Sequence, residues 1–129
     1  MSIHVVVCDD EPHVARMISC RLMRADFEVH SAHDCETAWD VIHRVRPQLL
    51  VTDLHDPAVE LVCRLRATPG LAELPVIALT STRENIAAMK GLQEQLGLYA
   101  LLAKPFSPRC LVRLAAQATG SPSQLAAAV

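Results

Sequence analysis

Residues 3–11 read IHVVVCDDE, and this stretch decides the fold. Its apolar part has the length and the valine content of a strand that is buried on both faces, and three acidic residues follow directly. Short apolar runs of this kind alternate along the chain with five longer segments that have helical spacing. The other four runs are 27–30, 49–52, 76–79 and 99–103. This alternation predicts an α/β fold with a doubly wound parallel sheet that carries helices on both faces.

The five helical segments are predicted from the spacing of their apolar residues and from prolines in three of their first turns. They lie at about 12–25, 35–45, 57–67, 83–96 and 108–118. The two arginines of 64–66 are expected to form a solvated edge of the third helix. We assign residues 1–119 to one domain, and residues 120–129, which begin GSPS, to a C-terminal tail or the start of a linker.

The composition is that of one domain with a hydrophobic core, since 51% of the 129 residues are hydrophobic and 20% are charged. A net charge of -2 argues against DNA binding through phosphate neutralisation. No apolar run reaches the ~18 residues of a membrane span, and the strand pattern begins at once, so we expect neither a membrane segment nor a signal peptide. The five scattered cysteines include no Cys-x-x-Cys pair and favour a cytoplasmic protein with reduced, mostly buried thiols.

Polar residues that could support chemistry follow or end four of the predicted strands. Asp9 and Asp10 follow the first strand, and Asp53, Thr80 and Lys104 stand at the ends of the third, fourth and fifth. Because the carboxyl ends of parallel strands share one edge of a sheet, we expect these side chains to lie together. Clustered carboxylates repel one another, and Mg²⁺, which prefers oxygen ligands, relieves that repulsion. Such a site suits a phosphoryl group, because a metal and an ammonium neutralise its charge and a carboxylate can be the nucleophile.

Four motifs carry a family resemblance: 5–11 (VVVCDDE), 47–54 (PQLLVTDL), 74–81 (LPVIALTS) and 104–106 (KPF). In these motifs the chain resembles the receiver domain of bacterial two-component response regulators, and the resemblance covers roughly residues 3–118. It implies a flavodoxin-like fold with a five-stranded parallel sheet, in the strand order 2-1-3-4-5, and five helices. It also implies a phosphoacceptor signalling domain and not an enzyme, which at most catalyses its own phosphorylation and dephosphorylation.

The resemblance implies a role for each acidic residue at the strand ends. Asp53 is expected to accept a phosphoryl group from a histidine kinase or a histidine phosphotransfer protein. Asp10 and Asp53 are expected to bind Mg²⁺ directly, with Asp9 close by, often through water. The backbone carbonyl of His55 is expected to supply a further metal ligand.

Two further residues are expected to bind phosphoryl oxygens and to transmit the change. The resemblance gives this role to Thr80 and Lys104, and it implies a cis peptide bond between Lys104 and Pro105. Phosphorylation is then expected to alter an output face near the last strand, where Tyr99, Leu101 and Pro105 are the candidate residues. We expect a monomer or weak homodimer that contacts a downstream protein and does not itself bind nucleic acid.

Two departures from the family pattern keep a second interpretation open. The loop after Asp53 is about three residues short and lacks the usual glycine. Leu101 stands where the family usually has an aromatic residue whose rotation reports phosphorylation. Tyr99 lies two residues earlier on the same strand face and is a candidate substitute. The alternative is a pseudo-receiver, an interaction module that works without phosphorylation, although the intact strand-end residues argue against it.

Other functions fit the pattern less well. Phosphatases of the haloacid dehalogenase class need a second acid two residues after the nucleophile, where this chain has His55. A flavodoxin-like flavin binder needs a phosphate-binding loop where this chain has the acidic segment 9–12. Asp56 precedes Pro57 and is expected to be the N-cap of the third helix. The other histidines show no metal-ligand spacing and are expected to be exposed or half-buried; they are His4, His13, His30, His33 and His43.

Overall fold

The computed structural model describes residues 2–81 and 86–120, except for the side chains of 86–88. Strands and helices alternate through these residues, as the sequence predicts. The strands are β1 (Ile3–Cys8), β2 (Phe27–Ala32), β3 (Leu49–Asp53), β4 (Val76–Thr80) and β5 (Ala100–Ala103). The helices are α1 (Pro12–Arg24), α2 (Cys35–Val45), α3 (Asp56–Arg66), α4 (Ile86–Leu96) and α5 (Pro108–Thr119).

The five strands form one parallel sheet in the order β2-β1-β3-β4-β5, which confirms the predicted doubly wound topology. The register brings the strand ends together: Cys8 lies opposite Thr52, and Thr80 lies opposite Ala103. All five strands therefore end at one side of the sheet, which we call the carboxyl edge. The opposite side, where the strands begin, is the amino edge.

The core consists of two apolar layers, one on each face of the sheet. Alternate residues of a strand point to opposite faces, so Val5 and Val7 pack in the layer with α1 and α5. Val6 and Cys8 pack in the other layer with α2 and α3. The central strands are apolar on both sides for this reason, and only their carboxyl ends become polar. Within the described residues, no helix combines the length and the apolar character that a membrane crossing requires.

The start of α3 differs from the prediction. Asp56 is the first residue of this helix and not its N-cap, so that expectation is wrong. The N-cap is His55, whose backbone is extended (φ -137°, ψ 177°) and whose ring Nδ1 accepts a hydrogen bond from the Ala58 amide at 3.3 Å. Acidic residues are favourable in the first turn of a helix even when they do not cap it, and Asp56 occupies such a position.

Two expectations about exposure are also wrong. Leu65 is fully buried and the guanidinium of Arg66 bonds to backbone carbonyl groups, so 64–66 is not a solvated edge. The cysteines are not mostly buried, because only Cys8 is buried and Cys35 is half-buried. The other three lie on the outward faces of helices; they are Cys20, Cys63 and Cys110.

Two of the predicted boundaries are only partly described, namely the end of the domain and the start of the fourth helix. α5 ends at Thr119, and Gly120 follows with a φ of 64°, a left-handed conformation that glycine adopts without strain. The rest of the predicted tail, 121–129, and the predicted start of the fourth helix at Arg83 lie outside the described residues. The division of the chain at residue 119 therefore stays a prediction.

Candidate functional site

The carboxyl edge of the sheet positions the residues that the sequence singles out. Asp9 follows β1 directly and Asp53 is the last residue of β3. Thr80 is the last residue of β4 and is buried. The amide of Lys104 donates a hydrogen bond of 2.7 Å to the carbonyl of Thr80, which extends the β4–β5 ladder by one residue. The hydrogen-bonded sheet thus fixes the backbone from which each of these side chains leaves.

The ammonium group of Lys104 lies among carboxylates from two other parts of the edge. Its Nζ is 3.2 Å from Oδ2 of Asp9 and 3.3 Å from Oδ1 of Asp53. It is also 3.2 Å from Oε1 of Glu11, a residue that the sequence analysis did not assign to the site. The side chain of Lys104 is 15% exposed and that of Asp9 is 1% exposed, so these charges interact with little screening by water.

The burial of these groups shifts their proton affinities. Burial raises the pKa of Asp9, and the nearby charge of Asp53 raises it as well, while hydrogen bonds from the Glu11 amide and from Lys104 oppose the shift. Burial acts to lower the pKa of Lys104, but its hydrogen bonds and charge interactions with the three carboxylates outweigh burial and raise the pKa overall. The ammonium group is therefore firmly protonated and balances part of the acidic charge.

We call the group formed by Asp9, Asp10, Asp53 and Lys104 the acidic pocket. Four residues, Asp9, Asp10, Glu11 and Asp53, each have one carboxylate oxygen that lies within 4.8 Å of the other three. Several oxygen ligands that converge in this way, without a full protein cage, match what Mg²⁺ requires, because this ion retains several of its waters. The residues present at the carboxyl edge therefore fit the Mg²⁺ ion that the sequence analysis predicts.

His55 lies in the short link between β3 and α3. A ring nitrogen of His55 falls within 4.8 Å of carboxylate oxygens of Asp10 and Asp53. Its backbone carbonyl accepts a hydrogen bond of 3.0 Å from the amide of Val59, so one side of that oxygen belongs to the first turn of α3. The carbonyl as a metal ligand stays a prediction. The sequence allows the ring to join the aspartates but favours a solvated loop histidine, and the structure places the ring beside the carboxylates. This proximity follows from the short link, which starts α3 directly beside the carboxylates.

The candidate output residues lie at different distances from the acidic pocket. Lys104 and Pro105 are joined by the predicted cis peptide bond. Leu101 is half-buried and packs in the apolar layer beneath α2 and α3. Tyr99 is 43% exposed and precedes β5, at the amino edge. It lies five residues before Lys104, or roughly 15 Å along an extended strand. The structure therefore does not bring Tyr99 to the acidic pocket.

Comparison with known proteins places this arrangement in a family. The family model for the response regulator receiver domain, which describes the sequences of that family, matches residues 5–116. The response regulator GtcR of Aneurinibacillus migulanus is 29% identical over 118 residues, which are 91% of this chain and 48% of that relative. This chain thus spans about half the length of the curated relative that it matches.

Two solved structures are similar to the whole described fold. The chemotaxis response regulator CheY4 of Vibrio cholerae has a TM-score of 0.82 at 23% identity, with 92% of this chain and 99% of that chain covered. A response regulator protein from Burkholderia multivorans has a TM-score of 0.73 at 28% identity, with 91% and 94% covered. The family match covers most of the length of the chain, and the order of the motifs and the sheet topology agree with it. The chain therefore belongs to the response regulator receiver domain family.

Proposed function

We propose that Asp53 accepts a phosphoryl group from a phosphohistidine of a histidine kinase or of a histidine phosphotransfer protein. The observation that supports this role is the position of the Lys104 ammonium, which contacts Asp53 at 3.3 Å and Asp9 at 3.2 Å. A lysine held in this way can stabilise additional negative charge on Asp53 without a rearrangement of the backbone. The carboxylate of Asp53 remains partly exposed, so a donor can reach it from solvent.

The proposed step is a displacement at phosphorus. A carboxylate oxygen of Asp53 forms a bond to the phosphorus atom while the bond from phosphorus to the donor imidazole nitrogen breaks. The electron pair of the broken bond stays on the imidazole nitrogen, and Asp53 carries an acyl phosphate. Most of the work in such a transfer is positioning and charge neutralisation, which are the two properties that the acidic pocket offers.

Mg²⁺ would be held by Asp10 and Asp53, with Asp9 through water and with the carbonyl of His55 as a predicted further ligand. When bound, the ion supplies positive charge that offsets the negative charge of the incoming phosphoryl group. Lys104 supplies a second positive charge, and its contact with Asp9 keeps that ammonium in place until the phosphoryl oxygens arrive. Asp9 therefore acts as a positioning residue in this scheme.

The phosphoryl group would change the partners of Lys104 and Thr80. An acyl phosphate adds about -1.5 to -2 charges by analogy with other phosphorylated side chains. Lys104 would exchange carboxylate contacts for a phosphoryl oxygen, and the Thr80 hydroxyl would bond another. Because the chain continues from Lys104 through Pro105 to α5, this exchange would reach the surface beside β5. We propose that a downstream protein recognises that surface and that the receiver works in the cytoplasm as a monomer or weak homodimer.

The proposal is tested by the intact mass of the protein after incubation with acetyl phosphate and Mg²⁺, with EDTA in a parallel sample. We expect the wild-type chain to gain one phosphoryl group in Mg²⁺ and none in EDTA. Asp53→Asn should gain none. The matched control is Asp56→Asn, which removes an exposed acid three residues later and should be labelled like the wild type.

Some receivers accept phosphoryl groups only from a protein donor, so a negative result is repeated with a phosphorylated histidine phosphotransfer protein. Equal labelling of Asp53→Asn and wild type would remove Asp53 as the acceptor. Failure with both donors, together with no Mg²⁺ binding by titration, would favour the pseudo-receiver alternative.

A further inference from the structure

A second group of metal-ligating side chains lies near the amino edge of the sheet, away from the acidic pocket. It consists of His4 on β1 and of Glu28 and His30 on β2. Nδ1 of His4 is 2.8 Å from Oε2 of Glu28 and 3.1 Å from Nε2 of His30. The two imidazole rings are stacked, with centroids 5.3 Å apart and planes inclined by 22°. Two imidazoles and a carboxylate thus meet at one point on neighbouring strands.

The pairing of the two strands creates this convergence. His4 lies directly opposite Glu28, and Val6 lies opposite His30. Since residues two apart on a strand share a face, all three side chains point to the face that is covered by α2 and α3. The backbone of His4 is fixed from its other side, because its amide donates to the Gln48 side chain at 2.8 Å and its carbonyl accepts from the Gln48 amide at 2.9 Å. Little ordering is needed to hold the three groups together.

Nδ1 of His4 has two close polar neighbours, but it can donate only one proton. A ring nitrogen carries at most one proton, yet two acceptor-capable atoms of Glu28 and His30 lie within hydrogen-bond distance of the same Nδ1. A cation in place of that proton could be bound by all three residues at once. Ligand atoms 2.0–2.2 Å from a tetrahedral metal ion lie about 3.3–3.6 Å from one another. The separations of 2.8 and 3.1 Å would therefore widen by less than about 1 Å when an ion enters, which the partly exposed side chains of His4 and Glu28 allow.

We propose that His4, Glu28 and His30 form a binding site for a divalent transition metal ion of the Zn²⁺ class. Two imidazole nitrogens and one carboxylate oxygen are a donor set that favours such ions over Mg²⁺, which prefers oxygen ligands. Three protein ligands leave further coordination positions for water or for a group from a partner. The side chains of His4 and Glu28 are 32% and 53% exposed, so an ion can enter from solvent. This site is independent of the proposed phosphoryl chemistry.

The test is a Zn²⁺ titration of the full chain against a chromogenic chelator, with excess Mg²⁺ present to occupy the acidic pocket and with the thiols kept reduced. We expect one equivalent of Zn²⁺ to bind to the wild type. His4→Gln, Glu28→Gln and His30→Gln should each weaken that binding by at least about tenfold, because removal of a ligand costs no less than removal of its supporting contacts. His33→Gln is the matched control, since it removes an exposed histidine close to β2, and it should bind like the wild type.

A second measurement keeps the test decisive if a variant is unstable. In the wild-type chain, Zn²⁺ should shift the side-chain nuclear magnetic resonance signals of His4 and His30 together, at the same equivalents that the titration reports. Unchanged signals of both histidines would overturn the proposal. It would also be overturned if Zn²⁺ binding persisted in all three ligand variants, or if His55→Gln alone abolished it, since the ion would then lie at thiols or in the acidic pocket.

Discussion

The two edges of the sheet hold their half-buried cations in different ways. At the carboxyl edge, Lys104 contacts carboxylates of Asp9, Glu11 and Asp53 at 3.2–3.3 Å. At the amino edge, the guanidinium of Arg66 donates to backbone carbonyl groups at 2.7–3.1 Å. These carbonyls belong to Ala72, Leu74, Leu96 and Gly97. One cation is balanced by side-chain charges, and the other is held by dipoles of the main chain.

The difference separates a replaceable contact from a permanent one. The planar fork of Arg66 joins the end of α3 to the segment before β4 and to the end of α4, through carbonyl groups that are part of the main chain. Burial lowers the pKa of Arg66, yet its guanidinium stays charged at neutral pH. Lys104 has a compact ammonium on a flexible stem, and a phosphoryl oxygen could replace any of its carboxylate partners. We therefore expect Arg66 to serve stability and Lys104 to serve signalling.

Arg66→Ala should produce the largest loss of stability. The substitution removes four charged hydrogen bonds, of which those to Leu74 and Leu96 are partly buried, so the free energy of unfolding should fall by about 2–4 kcal/mol. Urea unfolding followed by circular dichroism measures the change. Arg64→Ala is the matched control, because the guanidinium of Arg64 lies on the surface 4.0 Å from the ring centre of Trp39. Its loss should stay below about 1 kcal/mol, and equal losses would contradict a permanent role for Arg66.

Lys104→Ala should destabilise the protein less than Arg66→Ala does, and Mg²⁺ should restore part of the lost stability. Without the ammonium, the buried carboxylate of Asp9 keeps Asp53 as a neighbour, and we expect a loss of about 1–3 kcal/mol in EDTA at neutral pH. The variant should still accept phosphoryl groups, but more slowly, because it lacks the ammonium charge beside Asp53. It should also lose phosphorylation-dependent binding of its partner.

Lys90→Ala provides the control for this prediction, since Lys90 is the other lysine of the chain and is exposed on α4. We expect it to change the stability by less than about 0.5 kcal/mol. A Lys104→Ala variant that binds its partner in a normal, phosphorylation-dependent manner would show that Lys104 does not transmit the signal.

The pH dependence of stability should reveal the raised pKa of Asp9. A carboxyl group whose pKa is higher in the folded state than in the unfolded state favours folding most when it is protonated. Its contribution is therefore fully present below the ordinary value of 3.8 and is lost as the pH rises through the folded pKa. Asn does not titrate, so in EDTA the stability of Asp9→Asn relative to the wild type should increase as the pH rises through this range. Thermal unfolding at a series of pH values checks this, and parallel curves for the two proteins would contradict the assigned shift.

His55→Ala should have the smallest effect. The side chain caps α3 through one long hydrogen bond of 3.3 Å, so its loss should lower the free energy of unfolding by about 0.5–1 kcal/mol. Asp34→Ala offers a comparison outside the acidic pocket, because Asp34 caps α2 through a shorter hydrogen bond of 2.7 Å from the Thr37 amide. Chemical denaturation should give the larger loss for Asp34→Ala, and the reverse order would indicate that His55 stabilises more than its helix.

The fold and the convergence at the carboxyl edge could be predicted because both follow from regular rules. Apolar runs of strand length alternate with helical spacing, and the ends of parallel strands share one edge, so Asp9, Asp53 and Lys104 had to come close. These residues are far apart along the chain, but strand pairing brings them together regardless of that separation. The roles of these residues in phosphoryl transfer stay predictions that the proposed experiments test.

The residues that the sequence did not reveal depend on contacts between distant segments. Arg66 looks like an ordinary residue at the exposed end of a helix, and its carbonyl partners lie 6 to 31 residues further along the chain. His4 and His30 are separated by 26 residues and show no local metal-ligand spacing, yet strand pairing places their rings in contact. The cap of α3 differs from the sequence prediction because a short polar residue before proline is a common N-cap, whereas here the histidine ring reaches the amide of Ala58.

Chemical mapping of the modified residue shows directly whether Asp53 is the phosphoacceptor at the carboxyl edge. The wild-type chain is treated with acetyl phosphate and Mg²⁺ and then with borohydride, which reduces an aspartyl phosphate to homoserine. Peptide mass spectrometry then identifies the position. We expect homoserine at position 53 and unchanged aspartate at positions 9 and 10. Homoserine at position 9 or 10, or a labelled protein in which position 53 is unmodified, would contradict the assignment of Asp53.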